Sequence, residues 1–212
     1  VRQNRPYHLI APLGGINALS PCFAMKENQA LAMENFFPSA EGLRLRPGYL
    51  SHALTTGQPE RLWVYSTPSG SDQLFATTAS GIYNVTTGGG ATTLLVALTE
   101  GETSSASIST GAGSYMLIAN GVDTVKSYDG TTWSSVATFG ALASETLSYV
   151  ETYRHRVYFV KRNSLELEYL GANSVSGATT NYPLGAICRR GGYIVALATW
   201  TLDGGSGPDD QL

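Results

Sequence analysis

The stretch "SYMLIANGVDTVKSYDGTTWSSV", residues 114–136, decides the fold. An apolar strand runs into an Asn-Gly turn at Asn120-Gly121, and a second strand reaches Tyr128. Asp129-Gly130 turns the chain again, and a short third strand carries Trp133. Asn-Gly and Asp-Gly accept the positive φ that tight hairpin turns need, so this stretch is read as strands joined by turns.

The same unit recurs on both sides. "RLWVYST" (61–67) precedes "DQLFATTASGIYNVTTGGG" (72–90), where Leu74 and Ala76 alternate, Ala79-Ser80-Gly81 turns, and Ile82 and Val85 flank Tyr83. "HRVYFVKRNSLELEYLG" (155–171) is a further copy, and "GGYIVALATWTLDGG" (191–205) reads as the start of the last. Tyr83, Tyr128 and Tyr169 close the second strand of each hairpin, 45 and 41 residues apart. A period of that size, with up to four short strands per copy, matches a β-propeller blade. One such sheet cannot cover both of its faces, so blades stack around an axis. The alternative is a β-sandwich whose hairpins recur.

The expected fold is therefore all-β: propeller-like repeats of four-stranded antiparallel blades over 61–212, incomplete in this chain. Residues 1–60 form an extended, turn-rich segment that docks on the propeller or on a neighbour. Three or four units fit, whereas closed propellers have about four to eight blades, so the architecture is expected to continue past Leu212. "NQALAMENFF" (28–37) reads as one short helix or a strand, and "GALASETLSYVETY" (140–153) leads into a blade strand. Segments 86–93 and 171–181 are Gly/Ser/Thr/Asn-rich loops.

Composition agrees with a turn-rich β protein. The 212 residues include 24 glycines, and only 14% are charged, below the roughly 25% usual for soluble domains. Exposed strand faces then carry hydroxyls in place of Lys and Glu. The net charge of −3 argues against tight nucleic-acid binding, which needs a basic face to displace counterions. No apolar run approaches the length of a membrane-spanning helix, and the basic start lacks the apolar core of a signal peptide. Cys22 and Cys188 read as buried reduced thiols, a single disulfide being the alternative.

Motifs for chemistry are missing. His8, His52 and His155 stand in no HxH or HExxH arrangement, and there is no GxSxG elbow or Walker loop. "LDGGSGPDD" (202–210) gathers Asp203, Asp209 and Asp210 without the ligand alternation of a calcium loop and reads as a solvated turn. Glu166 and Glu168 share one strand face, spaced for a surface. No catalytic, cofactor or metal residues are assigned. Basic side chains cluster at Arg44 and Arg46, at Arg154, Arg156, Lys161 and Arg162, and at Arg189 and Arg190. Arg44 and Arg46 share a face if their segment is extended, as do Arg154 and Arg156. They serve as edge charges that block aggregation or as subunit or phosphate contacts.

"PYHLIAPLGGINALSP", "ENFFPSAEGLRLRPGY", "GIYNVT", "HRVYFVKRNSLELEYL" and "PLGAICRRGGYIVALATWTLDGG" resemble the N-terminal part of the tail hub or nozzle proteins of short-tailed phages, the packaged-DNA stabilisation group. The likeness runs through most of the chain, and "NFFP…LRLRPGY" is its most specific element. The resemblance implies a structural, non-enzymatic virion protein, made in the bacterial cytoplasm. It would form a homo-oligomeric ring below the portal and adaptor, around the DNA exit channel. It would touch passing double-stranded DNA weakly and help retain the packaged genome. Arg44, Arg46, Arg154, Arg156, Arg189 and Arg190 become interface candidates. The alternative from another class is a tail-associated protein that binds or cleaves glycans, with Trp63, Trp133 and Trp200 as stacking platforms.

Overall fold

The computed structural model describes residues 10–66, 70, 72–90, 92–201 and 210–211. The chain divides into two compact units, Val1–Leu50 and Ser51–Leu212.

In the first unit, β1 (Phe36–Ser39) and β2 (Gly42–Leu45) form an antiparallel hairpin with Phe37 opposite Arg44. Upstream, Asn17 and Gln29 are joined by a 2.9 Å side-chain hydrogen bond, next to a parallel bridge between Ile16 and Ala30. Residues 28–35 form no helix.

The second unit holds three four-stranded antiparallel meanders, each in simple sequence order. The first sheet is β3 (Arg61–Tyr65), β4 (Gln73–Thr78), β5 (Gly81–Asn84) and β6 (Leu94–Ala97). The second is β7 (Ser104–Thr110), β8 (Gly113–Ala119), β9 (Val125–Tyr128) and β10 (Trp133–Val136). A small pair, β11 (Thr138–Phe139) and β12 (Leu142–Ala143), leads to the third sheet: β13 (Leu147–Tyr153), β14 (Arg156–Lys161), β15 (Glu166–Tyr169) and β16 (Thr180–Pro183). The expected start of a last copy shows no four-stranded sheet among the described residues. Residues 191–199 carry no strand, and only the short pair β17 (Trp200–Thr201) and β18 (Asp210–Gln211) follows. Among the described residues the sheets do not close into a barrel or ring.

The turns share one device. In Ser39–Gly42, Thr78–Gly81 and Thr110–Gly113, two residues connect the strands, and the opening hydroxyl donates to the carbonyl of the closing glycine. Those glycines have φ of 146°, 149° and 148°, a region that side chains with a Cβ avoid.

The sheets stack face to face, and β8 shows how. Its run "YMLIA" has no polar alternation because both faces are covered. Met116 and Ile118 meet Tyr65, Phe75 and Ile82 of the first sheet. Leu117 and Ala119 meet Val150, Val157 and Phe159 of the third. Edge-to-face contacts of Tyr128 with Tyr65 and Phe75, each 5.0 Å between centroids, fill the first interface. By contrast β7 alternates: Ala106 and Ile108 are buried, while Ser107 and Ser109 are exposed, the hydroxyl-bearing outer face that composition suggests.

Tyr83, Tyr128 and Tyr169 lie on the second strand of the β4–β5, β8–β9 and β14–β15 hairpins, which is the third strand of each sheet. Tyr128 and Tyr169 are not equivalent, however. Aligned on the two-residue turns before β8 and β14, Met116 matches Phe159; their partners are Tyr128 and Glu168. Tyr169 is therefore one residue out of phase with Tyr128, and a one-residue slip turns a side chain to the opposite face.

The connection from β6 to β7 is pinned by Asp123. Its carboxylate accepts from Thr99 N and Oγ1 at 2.9 Å each and from Asn120 Nδ2 at 2.7 Å. Gly101, on the same connection, passes so close to β4 that a Cβ would lie 2.5 Å from the Thr78 carbonyl carbon. Burial alone pushes the Asp123 carboxyl up, but the hydrogen bonds from Asn120, Thr99 and Glu100 outweigh it and hold the group below its ordinary value. A carboxyl depressed in the folded state stabilises fully above its unfolded pKa, about 4, and loses that contribution as pH falls through the folded value. Asp123→Asn is expected to cost about 1–2 kcal/mol at neutral pH. The gap to wild type should close as pH drops below about 4, measured by urea unfolding across pH.

Candidate interaction surface

One face of the third sheet is turned away from the second sheet, and it is built unlike a solvent face. Strand alternation places Tyr149, Glu151 and Tyr153 of β13 there, since Val150 points into the core. Tyr158 and Val160 of β14, Leu167 and Tyr169 of β15, and Tyr182 of β16 line up beside them through the ladder. Tyr158 and Tyr169 stand directly opposite each other, with ring centroids 5.7 Å apart. The Arg156 guanidinium sits 5.7 Å from the Tyr169 ring, and its Nη1 donates to Leu170 O at 3.4 Å. Arg156, Tyr158, Leu167, Tyr169, Tyr182, Leu184 and Leu197 line a groove of about 510 Å³. The corresponding face of the second sheet is buried under the third. Tyr and Arg combine large flat contact area with polar tips and are enriched at protein interfaces.

The arginine candidates are not brought together. Arg44 lies on β2, with Arg46 just beyond it, where Arg46 N donates to Asn35 O at 2.7 Å and continues the ladder. Alternate positions in extended chain put both side chains on one face, and both are exposed. Arg156 lines the groove. Arg154 does not share its strand face: Arg154 and His155 form the two-residue turn between β13 and β14, with φ of 46° and 58°. The Arg154 guanidinium lies 5.1 Å from the Tyr153 ring. Lys161 pairs with Glu166 at 2.6 Å, and Arg162 Nη1 donates to Gly121 O at 3.1 Å. Arg189 and Arg190 are exposed in a loop after the short 3-10 turn Leu184–Ala186.

Other readings change as well. Cys22 and Cys188 are free but exposed, not buried. Glu168 is not a surface group: it is 6% exposed and accepts from Asn181 Nδ2 at 2.7 Å. Trp63 and Trp133 pack between the first and second sheets, so of the three suggested sugar platforms only Trp200 is exposed. Asp203 and Asp209 fall outside the described residues, as does His8. No group of three or more His, Cys, Asp or Glu among the described residues could hold a metal. Lys126 is buried and donates to Thr124 Oγ1 and Ser135 Oγ at 2.9 Å each. Burial lowers its pKa and nearby Asp123 opposes that; both bonds are structural. Among the described residues no helix is long and apolar enough to cross a membrane.

Attention to the arginines missed the apolar side chains around them. No described residue of the first unit is buried. Leu19 is 99% exposed and Phe23 93%, and Phe36, Phe37, Leu45, Tyr49 and Leu50 are exposed too. The signal was legible in length: four-residue strands in a two-stranded hairpin are too short to bury a face against anything of their own.

No family model, curated protein or solved structure matches this chain.

The Arg154-His155 turn is strained, because both central residues sit where Asn-Gly is favoured. Replacing the pair by Asn-Gly is expected to stabilise the chain by about 1 kcal/mol or more, read as a raised thermal midpoint. A lowered midpoint would show that the native side-chain contacts outweigh the backbone strain.

Proposed function

We propose that the chain is a structural subunit of a short phage tail, in the hub or nozzle, and that it assembles as a ring around the DNA exit channel. The three stacked meanders are read as consecutive blades of a β-propeller. One observation carries the reading: residues 10–50 bury none of their large apolar side chains and leave most of them exposed. Exposed apolar surface of that extent marks a contact with another surface, so this unit serves as a docking arm. Low charge, hydroxyl-bearing strand faces and the likeness of "NFFP…LRLRPGY" to the tail hub group support the same conclusion. No reaction is assigned.

The decisive experiment is imaging of purified virions. The chain should appear as a ring on the tail axis, below the portal and adaptor; its absence from the tail would end the proposal. Arg44 and Arg46 flank the apolar hairpin of the arm, suited to an acidic or carbonyl-rich edge on a neighbour. Changing both to Glu is expected to weaken assembly by up to about 3–5 kcal/mol, as when a buried charge loses its partner. Folding should change by no more than about 1 kcal/mol. Sedimentation and unfolding curves measured side by side separate the two.

A channel wall that lets DNA pass should hold it weakly. With a net charge of −3, the assembled ring is expected to bind duplex DNA without sequence preference and only at low salt. Each phosphate contact steepens the log–log salt dependence by about 0.9. Submicromolar binding that survives physiological salt in a fluorescence titration would point instead to a DNA-gripping protein.

A further inference from the structure

Among the described residues, the outer faces of the first and third sheets are covered only in part. At one end the outer face of the first sheet carries Leu62 and Val64 of β3, because Trp63 and Tyr65 point inward. Leu62 is 60% exposed and Val64 57%. The other half of this face is already covered: Ala53 packs on Tyr83 and Val85, held by hydrogen bonds of His52 and Leu54 to Val85, Gly89, Gly90 and Thr92. At the far end, β13 of the third sheet presents Tyr149 and Glu151, next to Tyr158. There Leu184 and Leu197 line the groove beside Tyr182, which is 48% exposed on β16.

We propose that these two ends are the two halves of one interface, and that a second copy of this chain fills it. The outer face of the first sheet in one copy packs head-to-tail on the tyrosine face of the third sheet in the next. The warrant is continuity with the interfaces inside the chain. The step from first to second sheet is repeated from second to third, each time laying one face of a meander on the opposite face of its neighbour. Between the second and third sheets the first strands β7 and β13 lie against each other, with Ala106 and Ile108 facing Leu147 and Val150. β3 and β13 are first strands too, so the same step taken between copies brings first strand to first strand. Leu62 and Val64 then meet tyrosine rings, an aliphatic-on-aromatic contact that leaves the hydroxyls at the rim. Such a contact is heterologous: it closes into a ring or runs on as a filament. The assignment rests on the ring reading above and gives that ring its seam.

The test uses the full chain. Val64→Asp spoils only the first-sheet end, and Tyr182→Asp only the third-sheet end; Leu62→Asp and Tyr158→Asp are the second variant of each. Light scattering after gel filtration should show wild type assembling with concentration and each variant monomeric, with circular dichroism unchanged. Mixing Val64→Asp with Tyr182→Asp should give a complex of twice the monomer mass, because each partner keeps one intact half. A wild-type chain that stays monomeric up to its solubility limit would overturn the proposal. So would folded variants from both ends that still assemble, or a mixture that never pairs. Finding the chain off the tail axis sinks the functional reading alone. Finding it on the axis while the mixture fails to pair sinks only this seam.

Discussion

The burial of β8 on both faces is the constraint on which the second unit depends. A meander of four short strands has two faces, and each must be covered by something. For the second sheet the chain itself supplies both covers. Met116 and Ile118 look one way and Leu117 and Ala119 the other, and all four are at most 2% exposed. Each cover then exposes a fresh face of its own. The outer sides of the first and third sheets are consequences of the way the middle one is stabilised.

The polar groups follow the same logic. A stack of separate sheets has no ladder hydrogen bonds from one sheet to the next, so side chains make them. Trp63 Nε1 donates to Thr103 Oγ1 at 2.9 Å, Tyr65 Oη to Ser114 O at 2.9 Å, and Val150 N to Ser104 Oγ at 2.7 Å. The low charge of the sequence has its place here. Hydroxyls bridge the sheets where lysines and carboxylates would need desolvated partners. Asp123 and Arg162 are charged exceptions: the Asp123 carboxylate is surrounded by donors, and Arg162 donates to Gly121 O.

The first unit presents the complementary problem. Its hairpin and bridge satisfy backbone groups, yet none of its described apolar side chains is buried. A segment that is ordered by hydrogen bonds and left uncovered by packing is suited to be completed by a partner. That, more than the arginines on it, supports the proposed docking role.

The sequence by itself determined the strands and turns. Asn120-Gly121, Asp129-Gly130 and Thr78–Gly81 mark reversals through local backbone chemistry, and strands such as β4, β5, β8, β9, β14 and β15 lie on the apolar runs around them, whereas the polar β7 and β16 carry no such signal. It also showed the recurrence of the unit, because a repeated topology repeats its turn residues. Only the tertiary structure decided which face each residue occupies. Tyr128 and Tyr169 look equivalent by spacing and lie on opposite faces, since face is a matter of parity along a strand and one residue reverses it. Glu168 looked like a surface group and is buried for the same reason. Arg154 looked like a strand residue and forms a turn, because Arg-His carries none of the usual turn chemistry and tertiary pairing of β13 with β14 imposed it. The interaction surface was legible only in part: its tyrosines stand in the sequence, but their gathering on one open face depends on registers set by long-range pairing, which no local window contains.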